Sequence, residues 1–93
     1  MDQLRAIKYF VKVVEQGSFS KAAQLFDVPP SSLSRRVVDL EQSLGATLLK
    51  RTTRNISLTE IGRLYYQHVS EVLNLLNQTD EMVKNYQAKP TGV

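Results

Sequence analysis

The chain has 93 residues, enough for one small domain with a single modest core. It contains no cysteine, which excludes a disulfide framework and a zinc–thiolate site, and no run of about 18 apolar residues suited to crossing a membrane. The net charge of +3 is concentrated in the middle: residues 28–54 hold Arg35, Arg36, Lys50, Arg51 and Arg54 against Asp39 and Glu41, whereas residues 55–93 are net negative. A basic middle suits a polyanionic partner, and a merely solvated basic face gives the same count. The opening MDQLRAIKYF lacks the plan of a signal peptide, so the chain reads as cytoplasmic.

From about Asp2 to Gln16, Leu4, Ile7, Val11 and Val14 recur at steps of three and four, the spacing of a one-faced amphipathic helix. Asp2 is placed to cap it, and Gly17 stands where a helix end needs a residue tolerant of positive φ. Ser18 then caps a shorter helix running to Phe26, with Phe19, Ala22, Ala23 and Phe26 on its inner face. The two alanines let another helix approach closely. Asp27 breaks the pattern, and Pro29-Pro30 stops any continuous helix.

A third helix begins near Pro30, a first-turn position where the missing N–H does no harm. Its stripe is Leu33, Val37, Leu40 and Leu44, and Gly45 ends it. Two helices joined by so short a turn form a helix-turn-helix pattern. At roughly 100° per residue, Ser31, Arg35, Val38 and Gln42 point away from the stripe, with Ser32 and Ser34 on its flanks. The exposed first two turns are thus hydroxyls and one guanidinium. Arginine can bind guanine O6 and N7 with two hydrogen bonds, serine can reach base edges or phosphates, and short serines let a helix enter a major groove deeply. Arg36 lies nearer the stripe and reads as a packed stem with a surface charge. Asp39 and Glu41 are expected to pair with nearby arginines.

Residues 47–51 and 56–58 can pair as two short strands around a polar, basic tip, Thr52 to Asn55. Thr59 then caps a long helix, with Glu60 in its first turn, and neither proline nor glycine interrupts residues 63–89. About 29 residues of helix span roughly 43 Å, far more than a three-helix core requires. One stripe on it is Ile61, Tyr65, His68, Val72, Leu75, Thr79, Met82 and Tyr86; a second is Val69, Leu73, Leu76 and Val83. Part of this surface packs on the first helix. The remainder calls for a partner helix, most simply from a second copy of the chain.

The run GSFSKAAQLF…SSLSRRVVDLEQSLGATLLKRTTRNISLTEIG resembles the N-terminal domain of the LysR-type transcriptional regulators, and the resemblance covers almost the whole chain. It implies a mainly α fold: a winged helix-turn-helix over 1–58 (three helices plus a short β-hairpin wing), a long linker and dimerisation helix over 59–89, and at 90–93 the start of a hinge to a larger effector-binding domain. It implies sequence-specific binding of double-stranded DNA as a homodimer whose linker helices pair antiparallel, with tetramers as a further state of the full-length protein. The third helix would sit in the major groove and the wing on the backbone or minor groove.

Carried over onto these residues, Pro30, Ser31, Ser32, Ser34 and Arg35 on the third helix and Arg51, Thr53 and Arg54 on the wing would contact DNA. Ile61, Tyr65, Val69, Val72, Leu75, Leu76, Met82 and Val83 are the dimerisation candidates. Three positions depart from the usual pattern: Pro29 removes a capping hydroxyl, Asp27 takes a turn position that favours glycine, and Leu49 replaces a common phenylalanine. No nucleophile–base pair, Gly-rich phosphate loop or carboxylate dyad occurs, so the chain reads as a non-enzyme without cofactor or metal, and its one histidine, His68, as part of a helix seam. A winged-helix module for protein contacts and a nonspecific DNA binder are the alternative readings. A protein interface would more often carry an aromatic or aliphatic anchor where the serines stand.

Overall fold

A computed structural model describes residues 2–52 and 55–88. The order of elements is α1 (Gln3–Gln16), α2 (Phe19–Phe26), α3 (Pro30–Leu44), β1 (Leu49–Arg51), β2 (Ile56–Leu58) and α4 (Glu60–Ala88). Each boundary has a local cause. The Asp2 carboxylate accepts from the Arg5 N–H at 3.1 Å and the Ser18 hydroxyl from the Lys21 N–H at 3.2 Å, so both first turns are capped. Gly17 and Gly45 close α1 and α3 in the left-handed region, at φ 68° and 70°. Asp27 does the same for α2 at φ 56°, a conformation that costs an L-residue something and that aspartate tolerates better than most. Pro29 extends the chain into α3 with no side-chain cap, as its lack of a hydroxyl implies.

The core is built around α1, which packs against α2, α3, β2 and α4. That position corrects the expected inner face. The buried residues of α1 are Ala6, Tyr9, Phe10, Val11 and Val13, while Leu4 is 40% exposed. A helix touched from several sides buries a wide arc, and the three–four spacing picks out only one flank of it. Leu44, at 39% exposure, likewise leaves the α3 stripe, which is Leu33, Val37 and Leu40. Ala22 and Ala23 of α2 are fully enclosed, and Phe26 meets the Tyr9 ring edge-on at 4.7 Å.

The hairpin is antiparallel, with Leu49 opposite Leu58, Lys50 opposite Ser57 and Arg51 opposite Ile56. Its first strand is shorter than the expected 47–51, because the two preceding residues bond elsewhere. The Thr47 carbonyl accepts the Thr59 hydroxyl at 2.7 Å. The Leu48 N–H donates to the Glu41 carboxylate at 2.7 Å, and the Leu48 carbonyl accepts from the Thr59 N–H at 2.9 Å. Thr59 also caps α4, its hydroxyl accepting from the Gly62 N–H at 2.9 Å.

α4 docks on α1 through aromatic rings: Phe10 lies 5.7 Å from Tyr65 and 6.4 Å from Tyr66. Burial there pushes the Tyr65 phenol above its usual value of 10.0, because the charged phenolate is poorly solvated at the seam. Beyond Leu76 the helix leaves the body, and every residue from 77 to 87 is exposed. The molecule therefore measures 60 × 26 × 22 Å, with a radius of gyration of 16.0 Å. A globular chain of this length would have about 12 Å.

Gly62 lies under the Leu48 backbone, where an added Cβ would drive into the Leu48 carbonyl. Inside a helix, Gly→Ala ordinarily stabilises by about 1 kcal/mol. Here the obstacle is backbone that is itself held by two hydrogen bonds, so the sign reverses. Gly62→Ala is expected to destabilise by about 1–3 kcal/mol, read as a lowered urea midpoint; an unchanged or raised midpoint would refute the close approach.

Candidate nucleic-acid interface

The exposed face of α3 holds the residues singled out on its first two turns. Pro30, Ser31, Ser32 and Arg35 are exposed, and Ser34 is half-buried on the flank nearest the hairpin. Arg36 is half-buried, in keeping with a packed stem. No side chain caps the start of this helix; Pro30 has no N–H, the Ser32 and Leu33 N–H groups turn back to the Pro29 carbonyl at 3.1 and 3.2 Å, and the Ser31 N–H is left to whatever lies outside. Such a helix start favours an anion.

Strand alternation decides where the basic residues of the hairpin go. Leu49 and Arg51 project to one side of β1 and Lys50 to the other. Leu49 is buried and pairs with Leu58 over the core, so Arg51 shares the inward side and reaches back toward the helices. Its Nη1 donates to the Ser34 hydroxyl at 2.9 Å, and its guanidinium carbon lies 4.3 Å from the centre of the Phe19 ring. The structure thus brings Arg51 and Ser34 into direct contact. It adds Phe19, which the sequence marks only as part of the α2 inner face. Nothing in local spacing signals that contact, because the partners come from three separate elements.

At the tip, the Thr52 hydroxyl donates to the Asn55 carbonyl at 3.0 Å and accepts from the Asn55 N–H at 2.9 Å. This clamps the turn at its base. Thr53 and Arg54, both named as DNA contacts, lie outside the described residues.

Glu41 corrects a second expectation. One of its oxygens accepts from the Leu48 and Leu49 N–H groups at 2.7 and 3.1 Å, and neither Glu41 nor Asp39 forms an ion pair with an arginine among the described residues. A carboxylate taking two backbone N–H groups fixes the angle between α3 and the hairpin, and so where Arg51 stands relative to the serines.

The dimerisation candidates divide. At roughly 100° per residue the two stripes of α4 lie about 100° apart, and the body takes Val69 and Leu73 of the second together with Tyr65 of the first. Val69, at 7% exposure, belongs to the chain's own core, and Tyr65 is half-buried against Phe10; spacing alone groups both with the partner-facing set. Leu76 is half-buried. Ile61, Val72, Leu75, Met82 and Val83 are open to solvent, at 51–64% exposure, together with Tyr86 at 68%. His68 is exposed on the same side, its Nδ1 2.8 Å from the Leu64 carbonyl. No group of three or more His, Cys, Asp or Glu that would suit a metal ion occurs among the described residues.

Three helices with α2 and α3 in a tight turn, and a hairpin strapped to the flank of α3, define a winged helix-turn-helix domain. Residues 4–63 match the family of bacterial regulatory helix-turn-helix proteins of the lysR type, and the chain belongs to that family. It is 47% identical over 83 residues to an HTH-type transcriptional regulator of Xanthomonas campestris pv. campestris (strain 8004), covering 89% of this chain and 24% of that protein. It is 40% identical over 92 residues to the HTH-type transcriptional activator AaeR of Escherichia coli (strain K12), covering 99% of this chain and 30% of that one. The chain therefore spans about a quarter to a third of these relatives. Among solved structures it is similar to the DNA-binding domain of BenM in complex with catB site 1 DNA, with a TM-score of 0.87 and 37% identity over 94% of this chain and 97% of that one.

Replacing Glu41 with alanine leaves two partly buried N–H groups without their acceptor. We expect a loss of about 1–3 kcal/mol in unfolding free energy, with amide exchange at Leu48 and Leu49 accelerating more than in the centre of α1. Equal acceleration throughout would show that the carboxylate does not hold this joint locally.

Proposed function

We propose that this chain is the DNA-binding part of a dimeric transcriptional regulator, with α3 in the major groove, the hairpin on the backbone or minor groove, and two heads joined through α4. The observation that carries this reading is the exposed face of α3: short hydroxyls, one outward guanidinium and an uncapped helix start, with no apolar anchor among them. That surface is shaped to approach an anionic groove closely and to make hydrogen bonds at its floor. The similarity to the BenM domain bound to DNA supports it.

The same reading makes the chain a binder and not an enzyme. It needs no cofactor, any small-molecule effector acting through a further domain beyond the hinge expected at 90–93, which lies outside the described residues. It also places the chain in the cytoplasm with its DNA. Among the described residues no helix is long and apolar enough to cross a membrane.

Reading and holding are separable by mutation. Arg35→Ala should cost about 1–3 kcal/mol on a duplex selected from a random pool and much less on scrambled DNA, which flattens the preference. If all sequences weaken equally, Arg35 does not read bases. A wild-type chain that binds selected and scrambled duplexes alike would be a nonspecific binder, and one that binds neither would be a protein-contact module.

Assembly is testable without DNA. Ile61, Val72, Leu75, Met82, Val83 and Tyr86 are apolar side chains that the body of the chain leaves exposed along α4. Charged residues in place of Leu75 and Leu76 should shift sedimentation toward monomer while helical circular dichroism persists. A wild-type chain already monomeric at high micromolar concentration would defeat the dimer.

A further inference from the structure

We propose that Phe19 is a positioning residue for nucleic-acid binding: its ring fixes the Arg51 guanidinium, and with it the Ser34 hydroxyl, as a preset clamp for one backbone phosphate of the duplex. The inference rests on the DNA-binding reading above and adds a residue that acts only through another side chain.

An exposed arginine has several rotatable bonds and gives up that freedom when it binds. Arg51 has given up much of it already, under restraints from two elements. The Phe19 ring at the start of α2 lies 4.3 Å beneath the guanidinium, and Ser34 on α3 takes one N–H at 2.9 Å. The two restraints act in different directions. The guanidinium carbon sits over the ring, while Ser34 takes one of its N–H donors. The remaining N–H groups lie in the guanidinium plane and stay available at the seam between α3 and the hairpin.

Nothing among the described residues neutralises this cation. The ion pairs there are Arg5–Asp2, Lys12–Glu15 and Lys84–Glu81, and none involves Arg51. An arginine held in place, exposed and without a carboxylate among the described residues is arranged for an anion from outside. Ser34 accepts from Arg51, so its own O–H is free to donate in the same neighbourhood. A phosphate oxygen beside the guanidinium satisfies both groups. A phosphate brings the full negative charge that a neutral base edge lacks, and a contact to it carries no sequence information. The clamp is therefore a holder that sets the register of α3, in contrast to the free Arg35.

A double-mutant cycle separates this role from a purely structural one. Phe19→Leu keeps an apolar side chain but removes the ring face, and should weaken binding about two- to fivefold on selected and scrambled duplexes alike. Phe19→Tyr should bind as wild type. Arg51→Ala should lower the salt slope by about 0.9 for each phosphate that is no longer neutralised, and Phe19→Leu should then add nothing further. In the free protein, the Arg51 Nε–H resonance should carry a ring-current shift that Phe19→Leu abolishes. An unshifted resonance, or a Phe19→Leu loss of the same size with and without Arg51, would overturn the inference. A change in sequence preference in Phe19→Leu would overturn the phosphate assignment. A wild-type chain that binds no duplex at low salt would defeat the DNA-binding reading itself, and with it the phosphate.

Discussion

One residue, Leu48, joins the three parts of this domain. Its N–H is held by the Glu41 carboxylate of α3, its carbonyl by the Thr59 N–H at the start of α4, and its side chain is 1% exposed in the core. Gly62 supplies the space, since any side chain there would collide with that carbonyl. The hairpin itself has only three residues in each strand, with Leu49 buried and Ile56 and Leu58 half-buried against the core. A two-stranded ribbon of that size has no stability of its own in water. Its orientation is therefore set from outside, by hydrogen bonds at its root, by Ile56 and Leu58 packed on the core and by Arg51 strapped across to Ser34. Local geometry at residue 48 thus fixes where a basic side chain stands some distance away.

α4 serves two surfaces with one helix, and the angle between its stripes is the reason. Tyr65, Tyr66, Val69 and Leu73 close the body against α1, while Ile61, Val72, Leu75 and Tyr86 face elsewhere. Had a single stripe served both purposes, covering the core would have consumed the surface open to a second copy. The separation also explains why the helix continues after contact with the body ends. The exposed turns after Leu76 add nothing to the monomer's core and lengthen the apolar stripe.

Much of this architecture is legible in the sequence because capping acts within four residues. Asp2, Gly17, Ser18, Gly45 and Thr59 each mark a boundary that the structure shares, and Pro30 starts α3 where the chain predicts. What stays hidden depends on partners remote in sequence. The inner face of α1 follows from four neighbouring elements, and spacing within α1 cannot count them. A sequence suggests arginines as partners for Glu41 because side chains are visible in it, whereas the true partners are backbone N–H groups that every residue but proline carries. The two stripes of α4 can be drawn from spacing, but which of them the body takes depends on how Phe10 meets Tyr65 and Tyr66. The serines and Arg35 on α3 are the opposite case. Their outward direction follows from the helix period and the Leu33, Val37, Leu40 stripe alone.

The contrast between the two arginines follows from how each is held. Arg35 stands exposed on the second turn of α3 and makes no ion pair among the described residues, so its side chain can search the pattern presented by a groove. Arg51 sits over the Phe19 ring and is hydrogen-bonded to Ser34 before any partner arrives. A restrained cation loses less entropy on binding, and its contribution is the same for every sequence it meets. A mobile one loses more, and recovers that loss only where the acceptors match, which is the condition for discrimination. If both arginines were free, binding would be weaker everywhere. If both were fixed, the helix would be held in place with less means of adjusting to the correct base pair. On the proposed reading, the strap at the wing root and the open face of α3 divide these tasks between two side chains of the same chemistry.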